Sequence, residues 1–390
     1  MLKRDHGSMK VAIIGGGPAG LYFAILIKKK HPEYQVVLFE RNRPNDTFGW
    51  GVVFSDKTLS YLRDSDEPSY QKITESFATW DNVDVVHRGV KITIRGNKFS
   101  GISRLGMLQI LQERCAELGV EMHFQEFVTD FSIFSNFDLV LAADGVNSEV
   151  RQKFAVQLEP DVTSRNNRYI WYGTNKLFHG LTLTFHQNDD GIFAAHSYKF
   201  NATTSTFIVE CDEATWQKAG FATMSEPETR AYLEKVFADD LDGEPLMSNN
   251  SKWLNFLLVK NKHWHFDNVV LLGDALHTAH FSIGSGTKLA LEDSIALFNA
   301  IESSDTVKAA LQEFERVRRP IIDEYQQAAF SSLVWFENLK DVIDLEPMPF
   351  AYSLMSRSNR IDHENLRKRD PKFMADYEAY VREHGAEMNA

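Results

Sequence analysis

Val11-Ala12-Ile13-Ile14-Gly15-Gly16-Gly17-Pro18-Ala19-Gly20 is an apolar, β-prone run that breaks on a glycine turn. Pro18 then opens an amphipathic stretch through Lys28, so the segment reads as strand, turn and helix. That is the context a dinucleotide fingerprint requires. Gly15 permits the tight turn, Gly17 lets the backbone approach a pyrophosphate, and Gly20 allows the helix to pack closely on the strand. The pyrophosphate belongs at the helix start, where Pro18 and Ala19 sit, because unpaired N–H groups and the helix dipole favour negative charge there. A second strand, Gln35 to Phe39, ends in Glu40, twenty residues past Gly20. Its carboxylate, with Arg41 beside it, is placed to meet an adenosine ribose. The glycine turn alone leaves FAD and NAD open.

Composition sets the outer limits. At 390 residues the chain is long enough for two domains with sizeable cores. A content of 43% hydrophobic and 25% charged residues is ordinary for a soluble protein. A net charge of −12 argues against a nucleic-acid partner, which calls for a basic footprint. Cys115 and Cys211 offer no disulfide framework and no metal spacing, which fits a reducing cytoplasm. The longest apolar run, Val11 to Ile27, is broken by four glycines and Pro18, so no membrane span is expected. Met1 to Ser8 has no apolar core for export.

Two further segments repeat the strand-to-turn pattern. Phe137 to Ala143 is a buried-strand run ending in Asp144-Gly145, followed by a turn into a helix. Val269 to Leu272 leads into Gly273-Asp274-Ala275, then Gly284-Ser285-Gly286 and a helical run from Thr287 to Glu302. A carboxylate at a strand end suits a ribityl hydroxyl, and a glycine turn before a helix suits a phosphate or the edge of a flavin ring. In this order the three segments describe one FAD held by three returns of the chain.

These motifs resemble the class A flavoprotein monooxygenases of the para-hydroxybenzoate hydroxylase fold. The family pattern around the third motif is met at Gly273, Asp274, Ala275, His277, Gly284, Gly286 and Asp293. It is broken at Phe281, where the family has proline, and at Lys288, where it has asparagine. Arg104 resembles the family arginine that opens a helix and reaches the FAD phosphates. Asp144 matches the motif tied to both FAD and reduced nicotinamide, and Phe314 to Pro320 matches a carboxy-terminal helix signature with a structural role. The resemblance implies an α/β fold with α+β elements. A Rossmann-like FAD-binding domain (residues 9–80, 99–160 and 265–304) is interleaved with a mainly antiparallel substrate sheet (81–98 and 161–264). C-terminal helices (305–345) and a tail (346–390) follow. Alternating aromatic runs at Tyr169 to Tyr172, Leu181 to Phe185, Ile192 to Tyr198 and Ser205 to Glu210 supply the sheet. With no second glycine fingerprint after a strand, NADPH or NADH is expected to bind transiently.

The implied activity is aromatic hydroxylation with NAD(P)H and O2 through a flavin C4a-hydroperoxide, in a monomer or homodimer. Phe48 to Phe54, Tyr169 to Thr174, Ser205 to Glu210 and His280 to Gly284 resemble a branch that holds salicylyl-CoA 5-hydroxylase, 2-aminobenzoyl-CoA monooxygenase and the tryptophan hydroxylase of violacein biosynthesis. An aryl-CoA thioester or carrier-bound aryl acid is therefore the leading substrate class, and a free indole or anthranilate-type aromatic is the alternative. The tail holds Arg357, Arg360, Arg367, Lys368 and Arg369. Arginine forks match the phosphates of coenzyme A, while the interspersed acids equally suit a solvated helix. His280, Ser282 and Trp50 are the candidate catalytic side chains, with Gly284 and Gly286 offering amides to the flavin; His277 and His196 read as structural. No halogenase motif is present, and the intact triple motif argues against a non-catalytic FAD-binding partner.

Overall fold

The computed structural model describes residues 8–284 and 286–385. Residues 1–7, residue 285 and residues 386–390 lie outside them.

The apolar run at the start forms the strand Lys10–Ile14, central in a six-stranded sheet. It pairs in parallel with Gln35–Glu40 on one side and Leu139–Ala142 on the other. Glu121–Phe124 and Val269–Leu271 extend the sheet in parallel, and His265–Phe266 adds an antiparallel edge. All three sequence motifs thus leave the C-terminal edge of one sheet, where doubly wound sheets bind ligands. The helix Pro18–Lys30 buries every residue from Pro18 to Ile27 and ends in Lys28, Lys29 and Lys30, cations that suit the negative end of the dipole. It packs against the helices Arg104–Leu118 and Gly286–Ser303.

The four aromatic runs are the strands Pro160–Thr174, Leu181–Asn188, Gly191–Lys199 and Ser205–Cys211. They belong to an eight-stranded sheet, antiparallel except where Leu181–Asn188 pairs with Val83–His87. Gly51–Ser55, Ala78–Trp80 and Phe99–Ser103 form a small antiparallel sheet of their own.

The signature Phe314 to Pro320 lies inside one long helix, Val307–Glu337. Arg319 there donates to the Lys262 carbonyl at 2.8 Å and stacks over Trp264. The stretch that reads as a tail is folded into the helices Pro347–Met355, His363–Arg369 and Pro371–His384. Phe350, Leu354, Leu366, Phe373 and Met374 bury themselves there against Val83, Val85 and Leu183 of the large sheet. Apolar burial, which the charge pattern of the segment masks, fixes these helices in place.

Candidate functional site

Between the C-terminal edge of the parallel sheet and the large antiparallel sheet lies a cavity of about 1850 Å³. Single drug-sized ligands occupy roughly 300–1,000 Å³, so this space suits more than one molecule. Gly15, Gly17, Glu40, Arg41, Arg104 and Asp144 line it, as do Asp274, Ser282, Gly284 and Gly286. Residues spread over the whole sequence therefore converge as the three motifs require.

Gly15 adopts φ +104°, and a Cβ there would stand 2.0 Å from the Ala143 carbonyl oxygen. A Cβ on Gly20 would stand 2.3 Å from the Gly15 carbonyl oxygen. Both positions therefore exclude any side chain, and Gly20, Pro18 and Ala19 are packed into the protein behind the cavity surface. Gly17 differs, because a Cβ on it would meet nothing within 4 Å. It caps the helix Pro18–Lys30 without a side-chain partner, and no acid occupies the first turn. Open N–H groups at a helix start facing a cavity fit an anion such as a pyrophosphate. Glu40 accepts from the Gly16 N–H at 2.6 Å and the Asn42 N–H at 3.1 Å, which fixes its carboxylate at the cavity. Arg41 lies over the Phe127 ring.

Arg104 is half-buried, donates to Thr47 Oγ1 at 3.0 Å and stacks on Phe48. Among the described residues no carboxylate lies within ion-pair distance of it. Burial holds the guanidinium below its ordinary pKa, and the charge of Asp274 only partly opposes this. A desolvated cation with no acid partner, next to open N–H groups, fits the phosphates of FAD. Asp144 turns inward, taking the Ser148 hydroxyl at 2.5 Å and the Val150 N–H at 3.2 Å. Burial raises its pKa above the usual carboxylate range. Asp274 lies on the cavity surface, and the protein around it likewise raises its carboxyl. Gly273 takes φ +62° and donates its N–H to Asp293 at 3.1 Å, so it shapes the turn behind the cavity.

The candidate catalytic side chains separate. Ser282 lines the cavity. His280 is 2% exposed and lies one layer behind, with Nδ1 2.6 Å from Ser282 Oγ. Trp50 packs its ring on Gly173, where a Cβ would come within 2.5 Å of it. Phe281, one of the two departures, packs against Tyr169 and His196. Lys288, the other, hydrogen-bonds the Tyr325 hydroxyl and lies 3.8 Å from Glu292. His277 lies in a buried cluster with Asp293, away from the cavity surface. Of the basic residues near the C-terminus, Arg357, Arg360 and Arg369 line the cavity, while Arg367 pairs with Glu378 and Lys368 faces outward.

Glu210, Ser332 and Tyr325 join the site without having stood out in the sequence. Glu210 is 2% exposed on the strand Ser205–Cys211, with Oε1 3.4 Å from His196 and Oε2 3.6 Å from His280. An acid inside an otherwise buried strand was the one signal available for it. Ser332 and Tyr325 sit on a long helix whose polar pattern does not distinguish them.

No helix among the described residues is long and apolar enough to cross a membrane. No group of His, Cys, Asp and Glu that could hold a metal occurs among them.

A family model for the FAD binding domain matches residues 136–329, and one for lycopene cyclase protein matches residues 10–188. Salicyloyl-CoA 5-hydroxylase of a Streptomyces species is 42% identical over 90% of this chain and 70% of its own length. Protodeoxyviolaceinate monooxygenase of Chromobacterium violaceum is 35% identical over 90% of this chain and 94% of its own. 3-Hydroxy-4-methyl-anthranilyl-[aryl-carrier protein] 5-monooxygenase of Streptosporangium sibiricum is 33% identical over 86% and 91%. Among solved structures, 2-methyl-3-hydroxypyridine-5-carboxylic acid oxygenase superposes with a TM-score of 0.70 at 18% identity, covering 90% of this chain and 98% of that one.

Proposed function

Because this chain belongs to the class A FAD-dependent aromatic monooxygenases, we propose that it hydroxylates the ring of an aryl-CoA thioester or a carrier-bound aryl acid. FAD is its cofactor and NAD(P)H its reductant. Bound FAD, once reduced, supplies the activation of dioxygen.

The protein's own residues supply binding and orientation. Gly15, Gly17, Pro18, Ala19 and Gly20 shape the turn and helix start that receive the pyrophosphate, and Arg104 adds a positive charge there. Glu40, with Arg41 beside it, takes the adenosine ribose. Asp144 and Asp274 serve the ribityl chain or the nicotinamide, Gly284 and Gly286 bring backbone close to the ring, and Gly273 shapes the turn behind them. Residues 9–80, 99–160 and 265–304 act as one cofactor-binding unit in this reading, under the antiparallel sheet. Tyr169, His196 and Phe281 wall the reacting space, which keeps water from the ring.

The observation that carries the substrate class is the reach of the cavity. It continues from the glycine turn to Arg357, Arg360 and Arg369, so a long phosphorylated carrier has both room and cations along its path. The relatives named for a CoA thioester and for a carrier-bound anthranilyl group support the same class. The relative named for protodeoxyviolaceinate, an acid with no named carrier, keeps an indole-type free aromatic as the second reading. Two cysteines without a disulfide support a cytoplasmic setting.

The test mixes FAD-loaded protein with NADH or NADPH and, in turn, salicyloyl-CoA, 2-aminobenzoyl-CoA, the two free acids and tryptophan. Gain of one oxygen by a thioester, coupled to nicotinamide oxidation, is the expected result. Turnover of the free aromatics alone would sink the thioester reading.

A further inference from the structure

Ser282 is the cavity end of a chain of buried polar groups whose hydrogen bonds run one way. The Arg357 Nε–H can only donate, and it meets Ser332 Oγ at 2.8 Å. Ser332 Oγ lies 2.6 Å from Ser282 Oγ, which lies 2.6 Å from His280 Nδ1. The Ser282 backbone N–H also donates to His280 Nδ1, at 3.3 Å. That nitrogen must therefore present a lone pair, so the Ser282 hydroxyl donates to it and the imidazole proton sits on Nε2. Nε2 faces Glu210 Oε2 at 3.6 Å. Since Ser282 has spent its only proton on His280, the Ser332 hydroxyl must donate to Ser282. Both ends of the chain enforce the same direction, from Arg357 toward Glu210.

Ser332 is 0% exposed, His280 and Glu210 are each 2% exposed, and Ser282 is 6% exposed. Water does not reorder such a chain. Ser282, which lines the cavity, keeps one Oγ lone pair uncommitted and has no proton to offer. Behind it, His280 faces Glu210, His196 meets the same carboxylate from the neighbouring strand, the charge of Arg357 bears on His196, and Tyr169 senses the Glu210 charge. The rings of Phe256, Phe281 and Phe336 close the remaining sides. Asn167 Nδ2 donates to Glu210 at 3.0 Å and holds the carboxylate in place.

We propose that Ser282 is an obligate hydrogen-bond acceptor on the substrate wall, selecting aromatic rings that carry a hydroxyl or amino donor, and that His280 and Glu210 take up that donor's proton through it. The inference rests on the reading that an aromatic substrate occupies this end of the cavity. In the step, the donor's O–H or N–H bond breaks and its electron pair stays on the substrate. Ser282 Oγ receives that proton while passing its own to His280 Nδ1. The resulting imidazolium lies between Ser282 and the Glu210 carboxylate, which balances its charge. No electrons are transferred and no co-reactant is consumed. The ring gains electron density where an electrophilic oxygen would attack. Ser282 touches the substrate, whereas His280 and Glu210 are positioning residues that act through it.

The test uses the FAD-loaded protein without NAD(P)H, titrated with salicyloyl-CoA and with 2-methoxybenzoyl-CoA, which lacks the donor. Wild type should bind the hydroxyl ligand about tenfold more tightly, the worth of one hydrogen bond. Ser282→Ala should erase that preference and leave the methoxy ligand's affinity unchanged. If Ser282→Ala does not retain FAD, Ser282→Cys, whose thiol is a weak acceptor, should erase it instead. His280→Asn keeps an oxygen for Ser282 to donate to but cannot take a proton. It should keep the preference and lose at least about hundredfold in kcat with little change in KM. A preference that survives in both Ser282 variants, or a wild-type kcat in His280→Asn, overturns the inference alone. Failure of wild type to bind either thioester overturns the substrate reading and the inference with it.

Discussion

His277 Nε2 stands 2.5 Å from Asp293 Oδ2, with both side chains within 4% of full burial. Arg318 Nε holds the other oxygen, Oδ1, at 2.7 Å, and the Gly273 N–H joins at 3.1 Å. Burial by itself would raise the Asp293 carboxyl, but His277 and Arg318 outweigh it and hold the pKa below the ordinary range. The aspartate thus ties the third motif turn to the helices Gly286–Ser303 and Val307–Glu337.

Removing one member of such a buried cluster leaves charge uncompensated, at a cost of about 3–5 kcal/mol. Asp293→Ala should lower stability by that order in urea unfolding at pH 7. His277→Ala, which leaves the Asp293–Arg318 pair intact, should cost less. Equal losses in the two variants would show that Arg318 does not hold the aspartate alone.

Gly15 and Gly17 should respond to alanine in opposite ways. At Gly15 the added methyl stands 2.0 Å from the Ala143 carbonyl oxygen at φ +104°, so Gly15→Ala should destabilise the apoprotein and abolish FAD retention together. At Gly17 the backbone is extended, with φ −79° and ψ −174°, and the added methyl meets open space. Gly17→Ala should fold with a stability within about 1 kcal/mol of wild type and bind FAD more weakly by at least about tenfold. Thermal melts of the apoprotein and flavin titration separate the two outcomes. A Gly17→Ala variant with undiminished FAD affinity would place the pyrophosphate elsewhere.

Much of this was legible because the signals are local. The apolar run Val11 to Ile14, the glycine turn and the terminal Glu40 lie within one strand-turn-helix unit, and Leu139–Ala142 and Val269–Leu271 repeat the pattern. Antiparallel pairing of the aromatic runs followed from their alternation. The site was less legible because its partners come from separate elements. His280 looks like a pocket group by its position in the loop, yet its ring faces Glu210 and only Ser282 reaches the cavity. Trp50 sits in the right segment, but Gly173 leaves a space that its ring fills. The last two helices were hidden by charge, since Leu366 and the pair Phe373-Met374 are short apolar interruptions among lysines, arginines and acids.

Glu210 makes a prediction about acid stability. Burial would raise its carboxyl, but His280 and His196 overcome that and hold its pKa down to about 2, from an ordinary 4.5. A carboxylate with a depressed folded pKa contributes stability that is complete above its unfolded pKa and lost as pH falls through the folded one. The contribution should therefore be full above about pH 4.5 and fade between there and about pH 2. Urea unfolding across that window should show a steeper acid loss in wild type than in Glu210→Gln. Parallel curves would mean that Glu210 is not held as a carboxylate in the folded protein.

The cations Arg360 and Arg369 give the last prediction. Arg360 lies 4.3 Å from the Tyr325 ring centroid, and Arg369 donates to Asn97 Oδ1 at 2.8 Å. Both line the cavity, and neither belongs to the buried chain through Ser282. If they receive carrier phosphates, Arg360→Glu with Arg369→Glu should raise KM for an aryl-CoA thioester by at least about tenfold, as like charges are brought to the same place. kcat should stay near wild type, since these contacts are made equally in the bound and reacting states. Raising ionic strength should weaken thioester binding in wild type and much less in the double variant, because salt screens charges at an exposed mouth. A short aryl thioester without phosphates, such as the N-acetylcysteamine ester, should show neither effect. If the double variant raised KM for that short ester as much as for the CoA ester, Arg360 and Arg369 would be shaping the pocket and not reading the carrier.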